Sequence, residues 1–533
     1  MSSLWWQRGV IYQIYPRSFQ DSDGDGVGDL KGIEQRLDYL ADLGIDAIWI
    51  SPICPSPMAH FGYDVADYQD VDPRFGTLAD FDSLVLAAHL RRIKVLLDFV
   101  PNHSSDRHPW FVESRSARSS ARRDWYIWRD PAPGGGPPNN WISDFGGSAW
   151  EWDEKTGQYY LHAFLKEQPD LNWRNPAVAH AMYDVLRFWF ARGVDGFRID
   201  VLWHLVKAEG FPDNPPNPAY RPAPGMGEMY SVIQEHSTDQ PEVHAIAAEM
   251  RRIADAYGER VLIGEIYLPL AKLMAYYGID DSGVHLPFNF QLVDAPWNAR
   301  GLVSMIAAYE AALPPGGWPN WVLGNHDRPR IAARIGEAQA RVAAMLLLTL
   351  RGTPTVYQGD ELGIGHVDIP AALVQDPREL REPGLGLGRD PVRTPMAWDA
   401  SPNAGFTTGS PWLPLHADWR ERNVATLAED VASPLGLHRR LLALRRAHPA
   451  LAIGDITLLD AAGDVLAYER RCGDERLLVV LNLGEAPHVF ALPAWAHGAR
   501  TLLSTLAVLA PAPAMRERLE LRPNEGVVLA PGT

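Results

Sequence analysis

The chain has 533 residues, 46% hydrophobic and 22% charged, an ordinary globular balance that excludes disordered and collagen-like architectures. Its 45 Gly and 44 Pro exceed usual usage and imply many loops. A net charge of −17, spread along the chain without a Lys/Arg-rich block, argues against a nucleic-acid surface and leaves neutral or cationic partners.

From the N-terminus, residues 1–19 pair two Trp with alternating polar residues and lack the basic-then-apolar order of a signal peptide. Short β-branched or aromatic runs then recur: 11–19, 47–53, 94–100, 196–200, 261–266, 287–292, 321–327 and 353–358. Between them lie helical patterns, with Ile33, Leu37, Leu40 and Ala41 ending near Gly44, then Phe81, Leu84, Val85 and Ala88, then Met182, Val185, Leu186 and Trp189. Eight strands with helices between them predict an α/β fold, a (β/α)8 TIM barrel. The gap from Val100 to Gly196 is too long for one crossover and holds a Pro/Gly run at 131–138, so an inserted small domain after strand three is expected at 103–174. A second Pro-rich loop, 211–227, follows strand four. The barrel is expected over 1–102 and 175–454, with an irregular extension at about 362–430. The apolar run 342–350 falls short of the ~20 residues of a membrane span and reads as a buried helix, and a further helix is expected at 435–446. Alternating runs at 464–469, 477–481 and 519–521 predict a C-terminal antiparallel β-sandwich over 455–533. The only cysteines, Cys54 and Cys472, are too few for a disulfide framework and lack metal-ligand spacing, which suggests a reducing, cytoplasmic setting.

In such a barrel, chemistry sits at the C-terminal ends of the strands. Asp200 ends strand four, Glu265 strand five and Asp327 strand seven, so three carboxylates are expected to converge on one pocket. Taken singly, each Asp could be a turn former or helix cap. Jointly they suggest a division of labour. Arg198, two residues before Asp200 on the same strand face, would hold that carboxylate ionised, and Glu265, ending an apolar run, would be raised by desolvation. One ionised and one protonated carboxylate are what a retaining glycosidase needs.

The segments QIYPRSF (13–19), DFVPNH (98–103), QPDLNW (168–173), GFRID (196–200), GEI (264–266), GNHD (324–327), GTPTVYQGDELG (352–363) and GRDPVRTPMAWD (388–399) run in order through most of the chain. With them the sequence resembles the α-amylase superfamily, glycoside hydrolase family thirteen, and within it the α-glucosidase and oligo-1,6-glucosidase group. The resemblance implies Asp200 as nucleophile, Glu265 as acid/base and Asp327 as the carboxylate that grips sugar hydroxyls. It implies His103, Arg198 and His326 around the bound glucose, Asp64 fixing the non-reducing-end hydroxyls, Arg393 as a further hydroxyl contact, and Tyr63 and Phe164 as stacking rings. The loop Asp21-Ser-Asp23-Gly-Asp25-Gly-Val27-Gly-Asp29 places oxygen ligands at alternate positions, but its twelfth residue is Gly32 rather than Glu and no helix pair flanks it, so it is not an EF-hand. The group's similar loop binds a divalent cation, which implies a structural Ca²⁺ or Mg²⁺ on Asp21, Asp23, Asp25, Asp29 and the Val27 carbonyl. Neither Gly-rich run, 24–28 or 384–388, has nucleotide-binding spacing, so no organic cofactor is expected.

The implied activity is release of α-glucose from the non-reducing end of short α-glucosides with retention, and glucosyl transfer where an alcohol intercepts the intermediate. Val201, after the expected nucleophile, resembles relatives that accept α-1,6 bonds, while the residues beyond it differ from the best-known oligo-1,6-glucosidases; the reading favours α-1,4 disaccharides, with α-1,6 second. Sucrose- or trehalose-active hydrolases, isomerases and transferases of the superfamily are the alternative. From another class, a non-catalytic glucan-binding or transporter-ancillary relative would show eroded carboxylates or a membrane segment. The expected partner is a small oligosaccharide, with neither nucleic acid nor membrane, bound by a monomer or homodimer.

Overall fold

The computed structural model describes residues 4–506 and 517–532, so residues 507–516 and 533 of the expected C-terminal domain lie outside the described residues. Eight parallel strands form the central sheet: β1 (Ile11–Ile14), β2 (Ala47–Ile50), β3 (Lys94–Phe99), β4 (Gly196–Ile199), β5 (Val261–Glu265), β6 (Leu286–Phe288), β7 (Asn320–Val322) and β8 (Thr353–Tyr357). Hydrogen-bonded neighbours run β7-β8-β1-β2-β3-β4-β5-β6, which curls the sheet into a nearly closed barrel with β6 and β7 at the seam. Most of these strands are buried on both faces, which is why they read as apolar runs rather than alternating ones.

The strands are shorter than the sequence suggests, for local reasons. Pro16 starts a 3-10 turn that ends β1. Past β6, the Asn289 side chain accepts a hydrogen bond from the Gln291 amide (3.1 Å), and this Asx turn directs residues 291–294 into a short helix instead of the expected strand. The pattern from Ile33 to Ala41 also divides, into helices Leu30–Gln35 and Leu37–Leu43, the second ending at left-handed Gly44 (φ 98°). Helix Leu78–Leu90 starts with a capping box between Thr77 and Asp80, and the run 342–350 lies in the helix Glu337–Thr349, where Val342 through Thr349 are all buried.

Between β3 and β4 the chain leaves the barrel and builds a three-stranded antiparallel sheet from Trp128–Arg129, Trp150–Asp153 and Gln158–Leu161. The QPDLNW segment ties this excursion back: Leu171 N donates to Asn102 O (2.9 Å), and the buried Lys207 ammonium bridges Asp170 (2.6 Å) and Asn102 (2.8 Å). Past residue 454, a five-stranded antiparallel sheet and a two-stranded one share an apolar core that includes Leu478, Val480, Phe490 and Leu519, a sandwich arrangement. No helix among the described residues is long and apolar enough to cross a membrane.

Candidate active site

Strand register assembles the floor of the site. β3 pairs with β4 so that Asp98 stands opposite Arg198, and β4 pairs with β5 so that Arg198 stands opposite Ile263. Side chains two residues apart on a strand share a face. Asp200 lies two beyond Arg198 and Glu265 two beyond Ile263, so three carboxylates are presented to one guanidinium. Arg198 Nη1 donates to Asp98 Oδ1 and Asp200 Oδ1, both at 2.7 Å, and Nη2 sits 2.7 Å from Glu265 Oε2. The Val201 amide also donates to Glu265 Oε2 (2.9 Å). To do so Val201 adopts φ 38°, ψ 47°, a left-handed conformation that costs a β-branched residue about 1–3 kcal/mol and marks a site held by its surroundings.

Burial dominates the acidities here. It pushes Asp200 well above the ordinary carboxylate range, with Glu265, Asp98 and Asp327 adding to the rise against the pull of Arg198. It raises Glu265 as well, and lifts Asp98 to about 6. Arg198 draws Asp200 toward its ionised form, as its place on the strand suggests, but that one cation is shared by three buried carboxylates, and burial raises all three.

Asp327 is the opposite case. Its Oδ1 accepts from Arg389 (3.0 Å) and Arg393 (2.7 Å), its Oδ2 is 3.2 Å from His326 Nε2, and these neighbours hold it well below the usual range despite burial. His326 lies stacked between Tyr63 and Tyr15, accepts at Nδ1 from the Gln13 amide (2.7 Å) and meets Tyr63 Oη at Nε2 (2.7 Å). Burial lowers it to about 3, so the ring is neutral and carries its hydrogen on Nε2.

The three carboxylates line one pocket of about 260 Å³, small beside the ~300–1,000 Å³ of drug-sized ligand sites. Tyr63, His103 and Phe164 line it as expected, and His103 is kept neutral by burial, which lowers it to about 4. Arg198 and His326 stand directly behind that surface. Two expected hydroxyl contacts are corrected. Asp64 is fully buried and does not line the pocket; its oxygens accept from Ser56 Oγ and from the amides of Ala59 and His60, all at 2.9 Å. It folds the loop that carries His60 into the pocket. Arg393 is buried behind Asp327, donating to its Oδ1 and to the His326 carbonyl, so it positions that carboxylate rather than lining the cavity. The residues that do line it without having been expected include His60 and Arg389. Arg389 is gripped by Asp376 through Nε (2.8 Å) and Nη2 (2.7 Å) and touches His60 Nε2 at 3.1 Å. Its place in GRDPVR, four residues from Arg393, was the available signal.

The Alpha amylase, catalytic domain family model matches residues 13–454. The chain belongs to the α-amylase family. A second model, Domain of unknown function (DUF3459), matches residues 453–528. Among relatives, a probable alpha-glucosidase of Rhizobium meliloti (strain 1021) is 43% identical over 505 residues, covering 92% of this chain and 91% of the relative. An oligo-1,6-glucosidase of Parageobacillus thermoglucosidasius is 38% identical over 531 residues, covering 92% and 93%. Among solved structures, an alpha-glucosyl transfer enzyme, XgtA, superposes with a TM-score of 0.93 at 40% identity, covering 99% of this chain and 100% of that one. With α-amylase family membership and these relatives, the chain is a glycoside hydrolase.

The acidic loop of this α-amylase family member lies apart from the pocket. Carboxylate oxygens of Asp21, Asp23 and Asp29 come within 4.8 Å of one another, and no Lys, Arg or His forms an ion pair with any of them among the described residues. Asp25 does not join that group; its Oδ1 accepts from the Val27 amide (2.8 Å). Backbone amides and the Ser22 and Thr407 hydroxyls donate to Asp21 and Asp29, and a compact set of hard oxygen donors with no paired cation fits a hard divalent cation.

Proposed function

We propose that the protein is a retaining exo-α-glucosidase that releases α-glucose from the non-reducing end of short α-glucosides. The observation that carries this reading is one small pocket, closed by buried His60, Tyr63 and His103, onto which three strand ends deliver Asp200, Glu265 and Asp327. Asp327, the best-ionised of the three, accepts hydroxyl protons of the bound ring and, with Arg389 fixed beside it, sets the ring's depth. As the anomeric carbon becomes electron-poor it favours the ionised form of Asp200, so the retained proton lies with Glu265, whose Oε1 makes no hydrogen bond among the described residues. Asp200 attacks that carbon while Glu265 protonates the departing oxygen; Glu265, now a base, activates the water that frees the glucose with configuration retained. An alcohol in place of that water gives glucosyl transfer by the same residues, a second reading favoured by the similarity to the α-glucosyl transfer enzyme.

In this reading Asp21, Asp23 and Asp29, with the Val27 carbonyl, hold a structural Ca²⁺ or Mg²⁺, and Asp25 joins them only if its carboxylate swings away from the Val27 amide; the ion stiffens the loop and takes no part in the reaction. A cytoplasmic setting is supported by Cys54 and Cys472, both unbridged. The test is product analysis on maltose, isomaltose, sucrose and trehalose, with an alcohol acceptor present and absent. Free α-glucose from maltose supports the reading; an enzyme that only isomerises sucrose overturns it.

A further inference from the structure

The pocket has a depth gradient that separates two kinds of wall. Its inner residues, His60, Tyr63, His103 and Glu265, are all buried, whereas its outer side includes partly exposed side chains that come from neither strand ends nor motifs. Asp144 comes from the excursion between β3 and β4, Gln234 from the loop after β4, and Arg378 from the stretch beyond β8. Gln234 Nε2 donates to Asp144 Oδ1 at 2.8 Å, so two separate excursions are joined across the pocket mouth. Arg378 has no carboxylate within 4 Å among the described residues, and its Nε is buried without a partner. A second compartment of about 270 Å³ adjoins the first and shares Tyr230, Asp327, Arg328, Arg378 and Arg389 with it.

We infer that Asp144, held by Gln234, and Arg378 form the seat for the sugar on the leaving side of the scissile bond, the carboxylate accepting from one of its hydroxyls and the guanidinium donating to another. This rests on the α-glucosidase reading, since it needs glucose in the inner part of the pocket and Glu265 facing the departing oxygen. The chemistry fits. A carboxylate and a guanidinium without a carboxylate partner, both on the wall of one pocket, offer an acceptor and a donor, which neighbouring hydroxyls of a pyranose satisfy together and an aromatic leaving group does not; among the described residues the Arg378 side chain otherwise meets only the Met229 sulfur, at 3.7 Å. Burial raises the Asp144 carboxyl to about 6 while Gln234 and Arg378 draw it down, as expected if Arg378 faces it across the mouth. The ligand class is therefore a polyhydroxylated leaving group or acceptor, and these residues select which one.

The experiment compares kcat and KM on maltose and isomaltose with those on p-nitrophenyl α-glucoside for the wild type, D144A, D144N and R378M. The expected result is that the ratio of kcat/KM on the better disaccharide to that on the aryl glucoside falls at least ~10-fold in D144A and R378M, through KM for the disaccharide, and by less in D144N, which keeps the shape and the contact to Gln234. A ratio within ~3-fold of wild type in the folded variants, or kcat falling equally on both substrates, overturns the seat. If D144A does not fold, D144N and R378M decide. A wild type that turns over the aryl glucoside but neither disaccharide keeps the α-glucosidase reading and overturns the seat; one that turns over no α-glucoside overturns both.

Discussion

Arg198 reaches Asp200 with one amino group and Glu265 with the other, each at 2.7 Å, so the proposed nucleophile and the proposed acid are tied to a single cation. Their proton affinities cannot be set independently, and the pH profile belongs to the set rather than to either residue. Activity requires Asp200 ionised, so it is lost as pH falls through the lower apparent pKa. It requires Glu265 protonated, so it is lost as pH rises through the upper one. Because burial raises both groups, both limbs should lie above those of ordinary carboxylates. Asp200→Asn should lower kcat on maltose by ~10³-fold or more, and Glu265→Gln should remove the alkaline limb on an activated aryl α-glucoside. An Asp200→Asn enzyme with near wild-type turnover would falsify the assignment.

Asp98 adds a third negative charge to the same guanidinium, and it also accepts from Trp49 Nε1 (3.2 Å) and Tyr63 Oη (3.1 Å). Asp98→Asn removes a like charge beside Asp200 and Glu265, so both of their pKa values should fall. The kcat/KM profile should move toward acid by about one pH unit while keeping its shape. A profile that stays in place would show that Asp98 acts only through packing.

For the acidic loop, added Ca²⁺ should raise the Tm and a chelator should lower it, with the shift growing with free cation concentration. Asp23 is exposed, and its carboxylate accepts a long hydrogen bond from the Asp25 amide (3.2 Å). Asp23→Ala should thus alter stability in chelator by no more than about 0.5 kcal/mol yet abolish the Ca²⁺ increment. Thermal scans with and without Ca²⁺ check both halves, and an increment that persists in the variant rejects the site.

Stability should also carry a histidine signature remote from the pocket. His438, buried in the helix Pro434–Ala447, lies 3.0 Å through Nδ1 from the Pro434 carbonyl oxygen and is lowered by burial to about 4. Below the unfolded value near 6.5 the unfolded chain binds a proton that the folded chain refuses. This contribution is therefore complete above about pH 6.5 and is lost as pH falls toward 4, to a total of ~3 kcal/mol. Urea unfolding of wild type and His438→Leu between pH 7 and 4 should show a smaller acid loss in the variant; parallel curves would mean that His438 takes up its proton in the folded state.

The parts of this molecule that sequence made visible are those whose signal is local. Fully buried parallel strands announce themselves as apolar runs, and Asp200, Glu265 and Asp327 stand at the ends of such runs. What stayed hidden depends on relations across the chain. Asp98 lies within the DFVPNH motif, but its partnership with Arg198 follows only from the register of β3 on β4. His60 enters the pocket because the loop around it turns through left-handed Met58 and Phe61 and is clasped by Asp64, none of which a one-dimensional pattern reveals. Asp64 departs from the sequence expectation for the same reason: its neighbour in the motif, Tyr63, faces the pocket while Asp64 turns inward to the loop backbone.

The hydrogen bond between Asp144 and Gln234 joins two segments that belong to no strand of the barrel. Cleavage and selection thus reside in physically separate hardware: the eight strands hold the groups that break the bond, and detachable wall pieces meet the molecule that departs. Exchanging both pieces together, contact included, should retune the enzyme's choice of partner sugar while the strand-end machinery is inherited intact.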